Sequence, residues 1–347
     1  MTSPELGMNS LRWRPAMETA LYGPGGFFTR PGTAGPGAHF RTSVHATPAF
    51  ADALARLLLR VDEALGRPDP FLLVDVGAGR GELLLAVARR QGAEFGGRLR
   101  PVAVDLAGRP EALPPDIGWA HRIPDAIVGA LISTEWLDNV PCDVVEATGA
   151  GLRYVLTDDS LGPPVADEDA AWLARWYPPL PPGARAEVGH TRDRAWAAAV
   201  RQVDRGIALT IDYGHLRDGR PLDGTLTGYR DGRQVAPRAD GSTDITAHVA
   251  MDAVADAGTA SLVGAKRDGD PYQLIVQRKA LQALGADATR PPIGLASTDP
   301  GGYLRGLARA SEVGELLDPA GLGGHLWLVQ AIGVAHPFSD EDGSMRA

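Results

Sequence analysis

The chain mixes short, continuous apolar runs with stretches whose apolar residues recur at helical spacing. Phe71 to Val76 is an unbroken apolar run carrying one acid, Asp75, near its end, the pattern of a strand buried on both faces. Ahead of it, Phe50, Leu54, Leu57, Leu58, Val61 and Leu65 form a helical stripe; Thr47 can cap it, Pro48 suits its first turn and Gly66 ends it. A glycine-rich turn follows the strand, then a second helix carrying Leu83, Leu84, Leu85, Val87 and Ala88. Pro101 to Asp105 reads as a strand ending in an acid, and Ile127 to Ser133 as another that ends just before Glu135. Strands alternating with helices predict an α/β fold on a mainly parallel sheet.

From Asp143 to about Gly189 this rhythm breaks. A hairpin (Val144 to Ala147 with Leu152 to Leu156) and the proline-rich Tyr177 to Gly183 predict an insertion, residues 143–190, that covers the site. A helix is expected from Thr191 to Asp204 with Gly206 as its stop, then a strand from Ile207 to Asp212. Beyond these come a strand over Thr225 to Arg230, a helix over Thr246 to Ala257 stopped by Gly258, and a strand near Leu262 to Ala265. Helices over Gln273 to Leu284 and Tyr303 to Leu317 and a strand over His325 to Ile332 complete the pattern. Tyr22 to Pro48 is rich in Gly, Pro, Thr and aromatic residues with no regular period, which predicts a long ordered arm.

Charge and cysteine usage narrow the partners. The formal net charge of −9 over 347 residues argues against a broad nucleic-acid footprint and favours steering of a cationic guest. Cys142 is the only cysteine, so an internal disulfide and a Cys-rich zinc site are excluded, and a reducing compartment, the cytoplasm, is expected. Met1 to Arg14 lacks the build of a secretion leader, and no stretch approaches the roughly 18 apolar residues of a membrane span, so no membrane partner is expected. The eight histidines are scattered, with no H-E-x-x-H and no acid cluster at ligand spacing, so no metal is expected.

The turn after the first strand, Gly77-Ala78-Gly79-Arg80-Gly81, brings backbone amides close to a ligand. A dinucleotide site places its third glycine where this chain has Glu82. A carboxylate there repels a pyrophosphate but tolerates a cofactor bearing a sulfonium and an ammonium. Asp105, closing the next strand, can accept hydrogen bonds from both hydroxyls of a ribose; the alternative is a tight turn with Asp105 as a helix cap.

Four further residues are candidates for chemistry. Glu135 and Asp138 sit just after an apolar strand, three positions apart, which on a helical turn puts both carboxylates on one side, where they can orient a guanidinium. Free Arg keeps its proton to a pKa above about 12, so a positioned base is a chemical need. The alternative is a helix-capping acid with a solvated neighbour. Asp212, before Tyr213-Gly214, either lines the same crevice or merely caps the turn that follows it. His248 falls in the expected first turn of the Thr246 helix, where a structural role competes with proton removal; His39 and His45 in the arm carry the same ambiguity.

Taken in order, Ala20-Leu21-Tyr22 with Gly25-Gly26-Phe27-Phe28, Phe40-Arg41-Thr42-Ser43, Val74 to Gly81, Glu135-Trp136-Leu137-Asp138-Asn139-Val140-Pro141, Ile211-Asp212-Tyr213-Gly214, Gly224-Thr225-Leu226 with Tyr229-Arg230, and Asp244 to Val249 resemble the MidA family of methyltransferases. The resemblance implies a class I, Rossmann-like methyltransferase core with S-adenosyl-L-methionine as donor and a protein or peptide arginine as acceptor. Asp75, Gly77, Gly79, Gly81 and Asp105 would then serve the cofactor, with Thr42 and Ser43 near it from the arm. Glu135, Asp138, Asp212 and His248 would match its catalytic motifs. Two acids of the family pattern are here His39 and His45, and Thr134 replaces an Asn, so the acceptor end departs from the family more than the donor end does. A small molecule or peptide natural product is the alternative acceptor, and a donor-binding assembly factor without turnover the alternative role. The implied layout is an arm over residues 1–47, a cofactor-binding half of the core over 48–142, the insertion, a second half over 191–335 and a frayed tail over 336–347.

Overall fold

The computed structural model describes residues 10–30, 43–91, 93–262 and 270–338. Helix α1 (Trp13–Tyr22) buries Trp13, Ala16, Met17, Ala20 and Leu21, an i, i+3, i+4 stripe in a stretch where the sequence reading places no element. Short α2 (Ser43–Ala46) leads into α3 (Pro48–Ala64), which begins as expected: Thr47 is its N-cap and accepts a hydrogen bond from the Ala49 amide at 3.3 Å. Next come β1 (Phe71–Val76), α4 (Glu82–Gln91), β2 (Leu99–Val104), the three-residue β3 (Gly118–Ala120) and β4 (Ile127–Thr134).

The insertion contains β5 (Asp143–Thr148), β6 (Gly151–Val155), β7 (Leu161–Pro164), α5 (Asp167–Trp176) and β8 (Arg185–Val188). The chain re-enters the core through α6 (His190–Val200) and β9 (Val203–Asp212). Short strands β10 (Gly214–His215), β11 (Thr227–Arg230), β12 (Arg233–Val235), β13 (Asp244–Thr246) and β14 (Val249–Ala250) precede α7 (Met251–Ser261). Then follow β15 (Gln273–Val276), α8 (Gln277–Ala283), α9 (Leu295–Thr298), α10 (Pro300–Leu317) and β16 (Leu326–Ile332).

Seven strands form the central sheet in the order β15-β16-β9-β4-β1-β2-β3. Strands β3, β2, β1, β4 and β9 are mutually parallel, and β16 runs antiparallel to both β9 and β15. Alternation along β1 feeds two cores. Phe71 and Leu73 face Leu54 and Leu58 of α3, Leu84 of α4 and Leu281 of α8, while Val74 and Val76 face Trp196 of α6 and Val254 of α7. Helices on both faces and β1 flanked by β2 and β4 set a ligand crevice at the carboxyl ends of β1 and β4, where the strand order reverses.

Several elements depart from the sequence reading for physical reasons. The helix after the insertion ends at Val200, and Gly206 does not stop it. Gly206 lies inside β9 at φ 125°, paired with Gly129 of β4, and a Cβ there would run into the Gly129 carbonyl oxygen. The expected helix from Thr246 instead begins at Met251 and runs through Gly258, which has room only for a hydrogen where Gln330 and Trp196 close in. Gln273–Val276 is a strand on the sheet edge rather than the start of a helix. Leu262 caps α7, and the remainder of the strand expected there lies outside the described residues.

The insertion hairpin falls where the alternation predicts, in a four-stranded antiparallel sheet ordered β7-β6-β5-β8. Its Val144 and Val155 pack against Trp13, Met17 and Leu21 of α1. An ion pair between Arg12 and Asp143, with the Arg12 guanidinium 3.5 Å from the centre of the Tyr154 ring, pins the start of α1 to the same sheet. No residue of 143–190 lines the crevice described next, so the insertion does not form the cover expected of it; Arg14, Glu18 and Tyr22 of α1, which packs on it, do line the crevice.

Candidate active site

A cleft of about 960 Å³ opens at the carboxyl ends of β1, β2 and β4. That is at the upper end of the roughly 300–1,000 Å³ of ligand pockets, large enough for a nucleoside-type cofactor with space beyond it. One wall is the glycine turn and the loop after β2; the opposite wall is the arm, through Tyr22, Phe27, Phe28 and Arg30.

At the glycine turn, Gly77, Gly79 and Gly81 take φ of 73°, 57° and 80°, left-handed values that side chains disfavour. A Cβ on Gly77 would lie 3.2 Å from Cδ1 of Trp136, so the indole sits directly on the turn. The Gly77 amide donates to Val104 O at 2.9 Å, which ties the turn to β2. Asp105 accepts from the Gly79 amide through Oδ2 at 2.9 Å and from the Ala107 amide through Oδ1 at 2.8 Å. Asp105 also borders the cleft, where a carboxylate can accept from ribose hydroxyls.

Asp75, the penultimate residue of β1, reaches the cleft with only 2% of its surface exposed, and no described residue donates a hydrogen bond to its carboxyl. Burial, reinforced by Asp105 and Glu82, pushes its pKa up to about 8. Such a carboxyl favours a ligand that brings a positive charge. Glu82 accepts from the Arg80 amide at 3.0 Å and also borders the cleft. Three carboxyls around a glycine cradle fit a cofactor bearing an ammonium and a sulfonium, and they oppose a pyrophosphate.

Glu135 forms the other focus. It takes φ 51°, an arrangement costing a non-glycine residue about 1–2 kcal/mol, and this bend leaves its side chain at the cleft and Trp136 on the glycine turn. Its amide donates to Ile211 O at 2.8 Å, and its Oε1 accepts from the Ser43 amide at 3.3 Å. Burial, then the nearby Asp138, raise its pKa to about 8.

Asp138 does not share a helical face with Glu135. It belongs to a three-residue 3₁₀ turn, Leu137–Asn139, and is buried behind the cleft rather than lining it. Its Oδ2 accepts from the Thr246 hydroxyl at 2.6 Å and from the Tyr213 hydroxyl, while Oδ1 is buried without a partner among the described residues. Asp212 neither lines the cleft nor, among the described residues, caps the turn that follows it: its Oδ2 accepts from the amides of Leu137 at 3.0 Å and Asp138 at 3.3 Å, in the turn after β4. Burial, with Asp138 and Glu135 close by, raises the Asp212 pKa.

His248 lies on the extended link between β13 and β14, not in a helical turn, and does not line the cleft. Its ring meets Tyr213 edge-on with centroids 5.3 Å apart. Ser43 is also displaced from its expected role. It is fully buried with its amide on Glu135, and its neighbour Val44 is what borders the cleft. Thr42 and His39 lie outside the described residues, as does the side chain of His45.

Other residues contribute that no motif singled out. Arg192, buried in α6, donates to three main-chain carbonyls: Asp138 at 2.8 Å, Val140 at 3.2 Å and His248 at 2.8 Å. Asn139 donates to Asp244 Oδ1 at 2.8 Å, and the Tyr22 hydroxyl donates to Asn139 O at 3.2 Å. The turn after Glu135 is therefore held by α1, α6, β9 and β13 together. Tyr22 stacks on Phe28 with centroids 5.6 Å apart, giving the arm wall an aromatic surface near the acid. Lone Arg and Asn positions carry no local signal of such contacts; the aromatics stood in recognised blocks without a role attached.

Comparisons with known proteins agree with this geometry. A profile of an S-adenosyl-L-methionine-dependent methyltransferase family matches residues 53–267. The Drosophila melanogaster protein arginine methyltransferase NDUFAF7 homolog, mitochondrial, is 26% identical over 260 residues, covering 60% of this chain and 57% of that protein. The matched segment thus spans little more than half of that relative. A Burkholderia thailandensis crystal structure with bound S-adenosyl-homocysteine superposes with a TM-score of 0.76 at 25% identity, covering 97% of this chain and 92% of the other. A native crystal structure from the same organism, 24% identical over 94% and 88% of the two chains, has the same fold with a TM-score of 0.76. The chain belongs to the MidA-like family of S-adenosyl-L-methionine-dependent methyltransferases, and S-adenosyl-L-methionine is its cofactor.

Proposed function

We propose that this protein methylates a guanidinium nitrogen of an arginine in a protein or peptide. One observation carries the reading: a buried carboxyl, Glu135, borders the donor cleft at its aromatic end with its pKa raised to about 8. When bound, S-adenosyl-L-methionine supplies a methyl carbon made electrophilic by sulfur, whose bonding electron pair remains on the thioether that leaves. Formation of the carbon–nitrogen bond obliges the guanidinium to shed a proton. Glu135, ionised by the arriving cation, accepts that proton and returns to the neutral form its burial favours. A carboxylate of pKa about 8 is a stronger base than an ordinary one, which brings it closer to the guanidinium it must relieve.

Other residues act by holding. Asp105 and Asp75 fix the donor's ribose and ammonium ends, and the turn fastened by Asp212 and Arg192 fixes the approach of Glu135. The rings of Tyr22, Phe28 and Trp136 offer flat faces suited to a guanidinium. The Drosophila melanogaster relative, a protein arginine methyltransferase homolog, supports the same acceptor. No helix among the described residues is long and apolar enough to cross a membrane.

Glu135→Gln tests the role assigned here. Calorimetry is expected to show S-adenosyl-L-methionine binding within a few-fold of wild type, while methyl transfer to protein in a cell extract falls by roughly 10²-fold or more. Wild-type transfer in that variant would remove Glu135 from the mechanism.

A further inference from the structure

We infer that Gln277 is a positioning residue for Glu135, acting through Ser43. The inference rests on the role proposed for Glu135 and extends it to a helix beyond the matched family segment. Gln277 is the first residue of α8, fully buried in the main core beside Trp327. Its Nε2 donates to Ser43 Oγ at 3.0 Å and to Leu322 O at 2.7 Å, and its Oε1 accepts from Trp327 Nε1 at 2.9 Å. The indole N–H can only donate and the Leu322 carbonyl can only accept, so the amide has a single orientation and Ser43 Oγ is held by a donor.

These contacts close into a ring. Ser43 gives its amide to Glu135 Oε1, and Glu135 gives its own amide to Ile211 O. Ile211 lies beside Trp327 across β9 and β16, and Trp327 holds Gln277. Main chain and side chain of Glu135 are thus referred to the same patch of sheet by two routes. An apolar residue would fill the Gln277 site without desolvating an amide. What the amide adds is a fixed Ser43 at the start of α2.

Ser43 supplies the one hydrogen bond that the described residues offer the Glu135 carboxyl, and that bond favours the ionised form. Among the described residues, the charged and titratable groups facing Glu135 are Asp138 and Asp244, which oppose ionisation, together with Asp212 and Tyr229, which respond to its charge. Arg192 is spent on carbonyls behind the turn. Releasing Ser43 therefore leaves Glu135 among acids without the donor that Ser43 supplies, so its titration moves upward and its position broadens.

The test uses the full chain with two probes, S-adenosyl-L-methionine and S-adenosyl-homocysteine, by calorimetry from pH 6 to 9.5. Both carry the same ammonium, so Asp75 cancels in the ratio of their Kd values, and what remains is charge facing the sulfonium. In wild type the preference for the cation is expected to rise with pH as Glu135 ionises, and Glu135→Gln is expected to flatten it. In Gln277→Leu the midpoint should move up by about 0.5–1 pH unit, a roughly three- to tenfold change in acid dissociation. Ser43→Ala, which removes only the acceptor oxygen, should move it the same way and serves if Gln277→Leu does not fold. A flat response in Glu135→Gln with an unmoved midpoint in the folded Gln277→Leu or Ser43→Ala variant overturns the inference alone. A pH response that survives Glu135→Gln overturns the reading of Glu135 and, with it, the inference.

Discussion

Asp212, at the end of β9, accepts hydrogen bonds from the amides of both Leu137 and Asp138, and so fastens the turn that follows β4. One carboxyl thereby joins two neighbouring parallel strands at the edge of the cleft. The contact needs an acceptor oxygen rather than a negative charge. Asp212→Asn is therefore expected to melt close to wild type, because the amide oxygen can still accept. Asp212→Ala leaves two buried amides unpaired, at about 1–3 kcal/mol each, and at roughly 2–4 °C per kcal/mol its Tm should drop by several degrees. Thermal melts of the pair check this; equal melting of Ala and Asn would show that the turn does not depend on Asp212.

Asp75 ties donor affinity to pH. Its folded pKa of about 8 lies above the ordinary value of 3.8, so the empty protein holds a proton that the unfolded chain has lost. This contribution is fully present below pH 3.8, and stability declines as pH rises through about 8. Donor binding runs the other way, since the donor's ammonium favours ionised Asp75. Affinity should strengthen with pH below about 8, by at most about tenfold per unit for this one proton, and level off above it. Asp75→Asn should weaken binding by roughly 10–100-fold and remove one proton from the slope. Calorimetry in buffers of different ionisation enthalpy measures both, and an unchanged slope in Asp75→Asn would assign the proton elsewhere.

The paired glycines Gly129 and Gly206 give a prediction about the fold itself. A methyl group on Gly206 would collide with the Gly129 carbonyl while φ stays at 125°. Gly206→Ala should cost about 3 kcal/mol or more, read as a loss of soluble protein or of denaturant midpoint, whereas Gly219→Ala, in open space, should be mild. Similar midpoints for the two variants would mean that β4 and β9 can separate.

These cases show what the amino-acid pattern could disclose. Phe71 to Val76 and the α3 stripe were legible because each buries a face defined within a few neighbouring residues. The stripe Trp13, Ala16, Met17, Ala20, Leu21 is not read as a helix, because Pro15 inside it and the glycines after it obscure an element of only ten residues. Gly206 and Gly258 read as helix stops because close approach of a distant strand or side chain leaves no local trace. Glu135 stood out as an acid at a strand end, but the partners that define it, Ser43 and Ile211, lie far away in sequence. For the same reason Asp138, Asp212, Ser43 and His248 read as site residues, whereas the first three hold the turn or its acid from behind and His248 packs on Tyr213.

The most direct measurement of the central claim is the chemical identity of the methylated product. The purified protein, given methyl-labelled S-adenosyl-L-methionine and cell extract, is assayed by size separation followed by complete hydrolysis and amino-acid analysis. The account predicts label in the protein fraction, recovered as methylarginine, and its loss with Glu135→Gln. Label recovered in small molecules, or in an amino acid other than arginine, would contradict it.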